Sequence, residues 1–235
     1  MTDSLLDHLS QGEMVVEGRL VDASNATLLV DIEYAGNTLK AIYKPIMGER
    51  PLWDFPDGQL AFRERAAFLI SEAAHFNLVP LTILRDGAFG IGMVQKWVDI
   101  DESIDLALYF KEDNPELRSV ALFDAIINNT DRKIGHLLPE STGSLYICDH
   151  GVTFHQEDKL RTVLWQWAGD EFTPEEVSQL NDLYTLIVDG SIPELNELIT
   201  ADEVTALISR IDRLLSEGVF PQPSPDWPAI PWPPF

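Results

Sequence analysis

The chain has little cysteine, little positive charge and no long apolar run. Its 235 residues include a single cysteine, Cys148, so neither a disulfide framework nor a cysteine metal cluster is expected. Lys and Arg number 16 against 39 Asp and Glu, a formal net charge of −23. That charge repels nucleic-acid phosphates and anionic lipid headgroups at long range. The short basic clusters, at Arg63 and Arg65 and at Arg132 and Lys133, are mixed with acids. Nucleic-acid binding and constitutive binding to an acidic membrane are therefore not expected. No apolar stretch approaches the roughly 18 residues that a membrane-spanning helix needs. The opening MTDSLLDHLSQGEM has no basic region followed by an apolar one, so it does not read as a signal peptide, and a cytoplasmic protein is expected.

What is present is an ordinary globular mix, 45% apolar and 23% charged, with enough length for a real core. Residues 15–22 (VVEGRLVD), 26–34 (ATLLVDIEY) and 39–45 (LKAIYKP) read as three antiparallel strands, joined by the turns DASNAT and AGNT. Residues 60–76 read as a helix in which Leu60, Ala67, Leu69 and Ala73 alternate with a charged cluster, Arg63, Glu64 and Arg65. Two further strand-like runs bring residues 1–98 to about five strands and one helix.

The character then changes. Residues 115–127 read as a helix with proline in its first turn, HLLPESTGSLYICDHG as strand, turn and strand, and 174–189 and 201–217 as helices. Thr173 with Glu176, and Thr200 with Glu203, form capping boxes at the starts of the last two. The final fifteen residues hold seven prolines and two tryptophans and read as extended chain. The expected layout is a β-rich lobe over 1–98, a mainly helical lobe over 99–218 and a tail over 219–235. The tail is expected to pack back on its own domain or to dock on a partner, because two tryptophans and a terminal Phe235 would be costly left in water. A cleft between two lobes is a common ligand site.

Two places carry chemistry. Lys44 lies in AIYK, on a strand otherwise built for burial, so it needs either an exposed strand end or a carboxylate partner. Glu64, on the lobe's helix, is the natural counter-ion. The second place is NNTDRKIGH, where Asn128, Asn129, Thr130, Asp131, Arg132, Lys133 and His136 crowd together after an apolar helix. Asp149 follows at the end of an apolar strand, just before His150 and Gly151; an acid so placed and facing a cleft suits a divalent metal. Plainer readings make Asn128 and Asn129 a helix stop, Trp165 and Trp167 core, His155 structural, and Cys148 a small buried residue.

Taken in order, these segments resemble the protein-kinase-like fold: strand, small-residue turn, strand, AIYK, then ERAAFLIS, NNTDRKIGH and DHG. The wording is most similar to the atypical branch, the phosphatidylinositol 3-/4-kinase-like proteins and related bacterial kinases. AIYKPIMGERPLWDFPDG, NNTDRKIGHLL and DHGVTFHQEDKLRTVLW look like an actinobacterial group of kinase-like proteins. The resemblance covers roughly residues 13–170. It implies an α+β, two-lobed phosphotransferase that binds ATP with Mg²⁺ (or Mn²⁺) between its lobes. Lys44, oriented by Glu64, would contact the α- and β-phosphates. Ser24 and Asn25 would cover the phosphates through backbone amides, although DASNAT lacks the family's glycines. Gln95, Lys96 and Trp97 would lie at the hinge that grips adenine. Asp131 would orient or deprotonate the acceptor hydroxyl, Lys133 would neutralise the γ-phosphate, and Asp149 would hold the metal with His136, which stands where the family has Asn; alternatively His136 would only hydrogen-bond Asp131, and Asn128 or Asn129 would help with the metal. His150 stands where the family has Phe.

The acceptor is expected to be a soluble protein or a small hydroxyl compound. Three other readings remain open on the residues: a nucleotide-binding pseudokinase scaffold, adenylyl transfer with ATP reversed, and a metal-dependent phosphohydrolase using Asp131, His136, Asp149, His150 and His155. The last gives Lys44 and Glu64 no work.

Overall fold

The computed structural model describes residues 2–20, 26–50, 52–55 and 59–235. Five antiparallel strands form one sheet: β1 (Glu13–Arg19), β2 (Leu28–Tyr34), β3 (Asn37–Pro45), β4 (Thr82–Gly87) and β5 (Gly90–Lys96), in the spatial order β1-β2-β3-β5-β4. Their two-residue period buries Val30, Ile32, Ala41, Tyr43 and Val94 in one small core. The same period turns Lys44 to the opposite face, where it lies across from Met93 of β5. A glycine is required beside it. A Cβ at Gly92 would lie 2.5 Å from the Lys44 carbonyl oxygen, so only glycine lets the two strands pass this closely.

The sheet carries a helix that the sequence reading does not include. α1 (Thr2–Gln11) packs against β2 and β4 and buries Leu9 in the small core. The helix α2 (Leu60–Ala73) stops three residues short of the expected 60–76. Its first turn is capped from a distance, with the Ala61 N–H donating to Glu49 Oε1 at 2.8 Å.

The helical lobe holds α3 (Leu106–Tyr109), α4 (Pro115–Ile127), the hairpin β6 (Leu137–Pro139) and β7 (Leu145–Ile147), α5 (Pro174–Val188), α6 (Leu195–Leu198) and α7 (Ala201–Glu217). α4 spans the residues its sequence pattern marks, from the Asn114 cap to Asn128, which ends it in the left-handed region at φ 53°. Both capping boxes form. The architecture is therefore α+β and two-lobed, an antiparallel β lobe beside a mainly helical one. By packing, however, α2 belongs with the larger lobe: Ala66, Ala67, Ile70 and Ala74 share a core with α4, α5 and α7.

That packing corrects the amphipathic reading of α2. Its charged cluster does not face water. Arg63 and Glu64 are buried, because each charge meets a partner from far along the chain. Arg63 pairs with Glu203 of α7 at 2.6 Å and donates to the Thr153 carbonyl at 2.8 Å. Arg65 makes a two-pronged contact with Glu194, Nε and Nη2 each at 2.8 Å. The two arginines fix the rotation and height of α2 over the helical lobe.

Breaking the buried pair leaves a charge without compensation, which costs about 3–5 kcal/mol. Glu203→Ala is expected to lose stability on that scale in urea unfolding, whereas Leu108→Ala, at an exposed position, changes it by about 0.5 kcal/mol or less.

Candidate functional site

Lys44 is the meeting point of three elements. Its ammonium donates to Glu64 Oε1 of α2 at 2.6 Å and to Asp149 Oδ1, just after β7, at 2.9 Å. Burial alone would push the ammonium pKa down. The charges of Asp149 and Glu64 outweigh burial and hold it above its ordinary value. Glu64 is the reciprocal case: burial disfavours its carboxylate, and Lys44 more than offsets that, keeping it ionised. Its second oxygen, Oε2, accepts the His150 backbone N–H at 2.9 Å. Glu64 thus ties the lysine of one lobe to the DHG segment of the other.

Asp149 keeps half of its side chain exposed, at 48%, and holds the left-handed φ of 63°. An Asp tolerates this region better than a bulky residue, yet it is a strained conformation of the kind that gathers at functional sites. Gly151, two residues on, admits α2: a Cβ there would come 3.2 Å from Leu60 Cβ. Asp149 is held ionised chiefly by Lys44, against its burial, with help from His136.

Asp131 lies on the loop after α4. Its N–H donates to Asn129 Oδ1 at 2.9 Å, and Lys133 Nζ approaches its Oδ2 at 3.3 Å. Burial raises the carboxyl pKa, Lys133 lowers it and Asp149 raises it, with a net rise. A half-buried carboxylate with a raised pKa is suited to accept a proton. The loop rests on Arg132, which is fully buried. Arg132 pairs with Asp124 of α4 at 3.0 Å, donates to the Cys148 carbonyl at 2.8 Å and contacts His150 Nε2 at 3.0 Å.

His150 is fully buried, edge-on to Phe123 at 5.9 Å between ring centres. Burial, ahead of the other influences, lowers its pKa. Because Arg132 can only donate, Nε2 accepts and the neutral ring carries its proton on Nδ1. The imidazole thus rests on a buried guanidinium. His136 faces Asp149, not Asp131, with Nε2 3.4 Å from Oδ2. Burial, the largest influence, takes its pKa down to about 4. Its Nδ1 accepts the Lys133 N–H at 3.4 Å, so the neutral ring presents Nε2–H to the Asp149 carboxylate.

Lys44, Glu64, Asp131 and Asp149 all line one cavity of about 520 Å³, together with Trp53, Arg161 and Trp227. Gln95 and Trp97 do not line it. Gln95 lies on Lys44's face of the sheet, but it is buried and its Nε2 donates to Thr82 Oγ1 at 2.8 Å; the Trp97 indole N–H donates to Asp99. Ser24 and Asn25 lie outside the described residues; the next residue, Ala26, lines the cavity. The phosphohydrolase ligand set is not assembled. His150 is sealed in by Arg132, and the Nδ1 of His155 is taken by the Glu157 N–H.

Among the described residues no three carboxylates, imidazoles or thiols converge to cage a metal unaided. Asp149 with His136 beside it still fits Mg²⁺ bound to a nucleotide, because that ion takes one or two carboxylates and fills its shell from phosphates and water. His136 must first turn its N–H away from Asp149 to offer a lone pair. With a cation beside two acids and a proton acceptor across the cavity, the arrangement can hold a polyphosphate and receive a hydroxyl proton.

No family model matches the chain. Protein Rv2133c of Mycobacterium tuberculosis (strain ATCC 25618 / H37Rv) is 39% identical over 262 aligned positions, covering 97% of this chain and 94% of that protein. Among solved structures, the Helicobacter pylori proinflammatory kinase CtkA has a TM-score of 0.48 at 12% identity, over 89% of this chain and 94% of that one.

Burial, and then the charge on Asp149, push the Cys148 thiol up to about 12. At pH 8 the folded chain is expected to react with iodoacetamide roughly 1,000-fold more slowly than the urea-unfolded chain, whose thiol has its ordinary pKa near 8.5. Equal rates would show an exposed thiolate.

Proposed function

The chain belongs to the family of the Mycobacterium tuberculosis protein Rv2133c, and we propose that it is a kinase-like phosphotransferase that moves the γ-phosphoryl group of ATP to a hydroxyl. One observation carries this reading. Lys44 of the β lobe bridges Glu64 and Asp149, on a cavity that also presents Asp131.

Each residue then has a task. Lys44, kept cationic by its two acids, contacts the α- and β-phosphates, and Glu64 fixes its direction. Asp149, with His136 after the ring turns, would hold Mg²⁺ or Mn²⁺, which would supply positive charge beside the phosphates. Asp131 accepts the proton of the attacking hydroxyl. The new bond joins that oxygen to the γ-phosphorus; the bond from the γ-phosphorus to the β–γ bridging oxygen breaks, and its electron pair leaves with ADP. Lys133, beside Asp131, stabilises charge on the transferring group. The side chains of Gln95 and Trp97 and the N–H groups of Lys96 and Trp97 are engaged elsewhere, so an adenine contact at residues 95–97 falls to a backbone carbonyl. The phosphate cover belongs to the segment that includes Ser24 and Asn25. Kinship with the phosphatidylinositol 3-/4-kinases in particular rests on the sequence resemblance. The acceptor is a soluble protein or a small hydroxyl compound, because the acidic exterior disfavours substrates in anionic membranes.

Mg·ATP at about 100 times its Kd stabilises a single-site protein by about 2.7 kcal/mol, roughly 5–10 °C in Tm at this chain length. That shift is expected for the unaltered chain and lost in Lys44→Ala. Asp131→Asn is expected to keep the shift and lose turnover by about 100- to 10,000-fold. Full turnover in Asp131→Asn would remove Asp131 from the mechanism. A shift without turnover in the unaltered chain would make the protein a nucleotide-binding scaffold.

A further inference from the structure

The C-terminal tail does more than cover apolar surface. It lies as a bent, irregular segment on the elements that flank Asp131. Residues 129–132 of the loop are joined to the segment at 161–162: the Arg161 N–H donates to the Asn129 carbonyl at 2.9 Å and the Arg132 N–H to the Arg161 carbonyl at 3.1 Å. The tail adds to the outer side of that segment. The Ala229 carbonyl accepts the Thr162 N–H at 3.1 Å and the Trp165 indole N–H at 2.8 Å. Further on, the Pro234 carbonyl accepts the N–H of Ile134, three residues after Asp131, at 2.9 Å. The two accepting carbonyls are five residues apart, and the chain between them bends at 229–230 and again at 232–233. Trp227 reaches into the cavity wall, with the Lys159 ammonium 4.7 Å from its ring centre.

Three features describe what this groove recognises. Its donors meet backbone carbonyls, which any extended polypeptide offers and a small polyol does not. Of the tail's larger apolar groups, Trp232 is 89% exposed, Phe235 61% and Ile230 49%, while Trp227 is half-buried and Pro231 buried. Its hold therefore combines the Trp227 and Pro231 contacts with backbone hydrogen bonds that another peptide can make. Finally, residues 225–235, PDWPAIPWPPF, contain no serine, threonine or tyrosine, so the segment lies beside Asp131 without a hydroxyl to accept phosphate. We propose that the acceptor is a polypeptide that docks in this groove, and that residues 225–235 are a cis-bound competitor which it displaces. This rests on the phosphotransferase reading and narrows its acceptor from any hydroxyl compound to a protein segment.

Two measurements on the full chain test it. The first needs no nucleotide. A tethered tail holds an effective concentration on the order of millimolar, so it must be weakened before a free peptide can compete. Trp227→Ala does this, and a fluorescein-labelled synthetic peptide of residues 225–235 is expected to bind that variant, by anisotropy, and to bind the unaltered chain far less. The second installs a hydroxyl. Asp226→Ser, Pro228→Ser and Ile230→Ser, each at an exposed tail position, are incubated with Mg·ATP and mapped by mass spectrometry. At least one is expected to gain a single phosphate on the new serine, at a rate independent of protein concentration. The hydroxyl oxygen bonds to the γ-phosphorus, its proton passes to Asp131 and ADP departs, as in the reaction above. No peptide binding together with unmodified serines would overturn the proposal; phosphate on added glycerol instead would assign a small hydroxyl acceptor. Peptide binding without ATP-dependent stabilisation would keep the groove as a peptide site and remove the phosphotransferase reading.

Discussion

The Lys44 ammonium lies 2.6 Å from Glu64 and 2.9 Å from Asp149, and this three-way contact constrains everything around it. A lysine on a strand packed into protein is unfavourable alone, and so is each acid. Together they are tolerated only if β3, α2 and the turn after β7 are held in register. The rest of the molecule does that holding. Arg63 and Arg65 bolt α2 to the helical lobe, Gly92 lets β5 approach β3, and Gly151 makes room for the start of α2. Arg132, paired with Asp124, supports both the Asp131 loop and His150, whose backbone N–H reaches Glu64. The polar chain runs unbroken from α4 to β3.

This arrangement is expensive. It gathers Glu64, Asp131 and Asp149 on one cavity in a protein that already carries a net charge of −23, and it holds Asp149 in the left-handed region. Folding alone gives no reason to crowd like charges or to strain an acidic residue. On the proposed reading the acids would be relieved of that repulsion by the cation that accompanies a polyphosphate. The raised pKa of Asp131 and the neutral state of His136 come from the same burial that makes the electrostatics strong.

Much of the frame was legible in the sequence, and the reasons are local. α4 announces itself by Asn114, Pro115 and a long apolar run; α5 and α7 begin at capping boxes; the strands alternate. Lys44 among apolar residues asks for a counter-ion, and one helix offered Glu64. What sequence reading missed depends on distant partners. The charges on α2 look like a solvated face until Glu194 and Glu203 are brought over from the far end of the chain. Arg132 looked like one of several loop cations, although a signal existed: Asp124 stands within the apolar run LFDAII, where an acid needs a buried partner. The family resemblance places Gln95 at the hinge, whereas its side chain donates to Thr82. α1 was missed because residues 2–11 were read only for signs of targeting. Contacts made by the tail's carbonyls leave no mark on residue identity at all.

A double-mutant cycle on Mg·ATP affinity tests the central claim most directly, with Lys44→Met and Glu64→Gln measured singly and together by calorimetry. If Glu64 acts by aiming Lys44 at the phosphates, the two losses overlap and the coupling exceeds about 1 kcal/mol. Strictly additive losses, or affinity unchanged in Lys44→Met, would contradict the account.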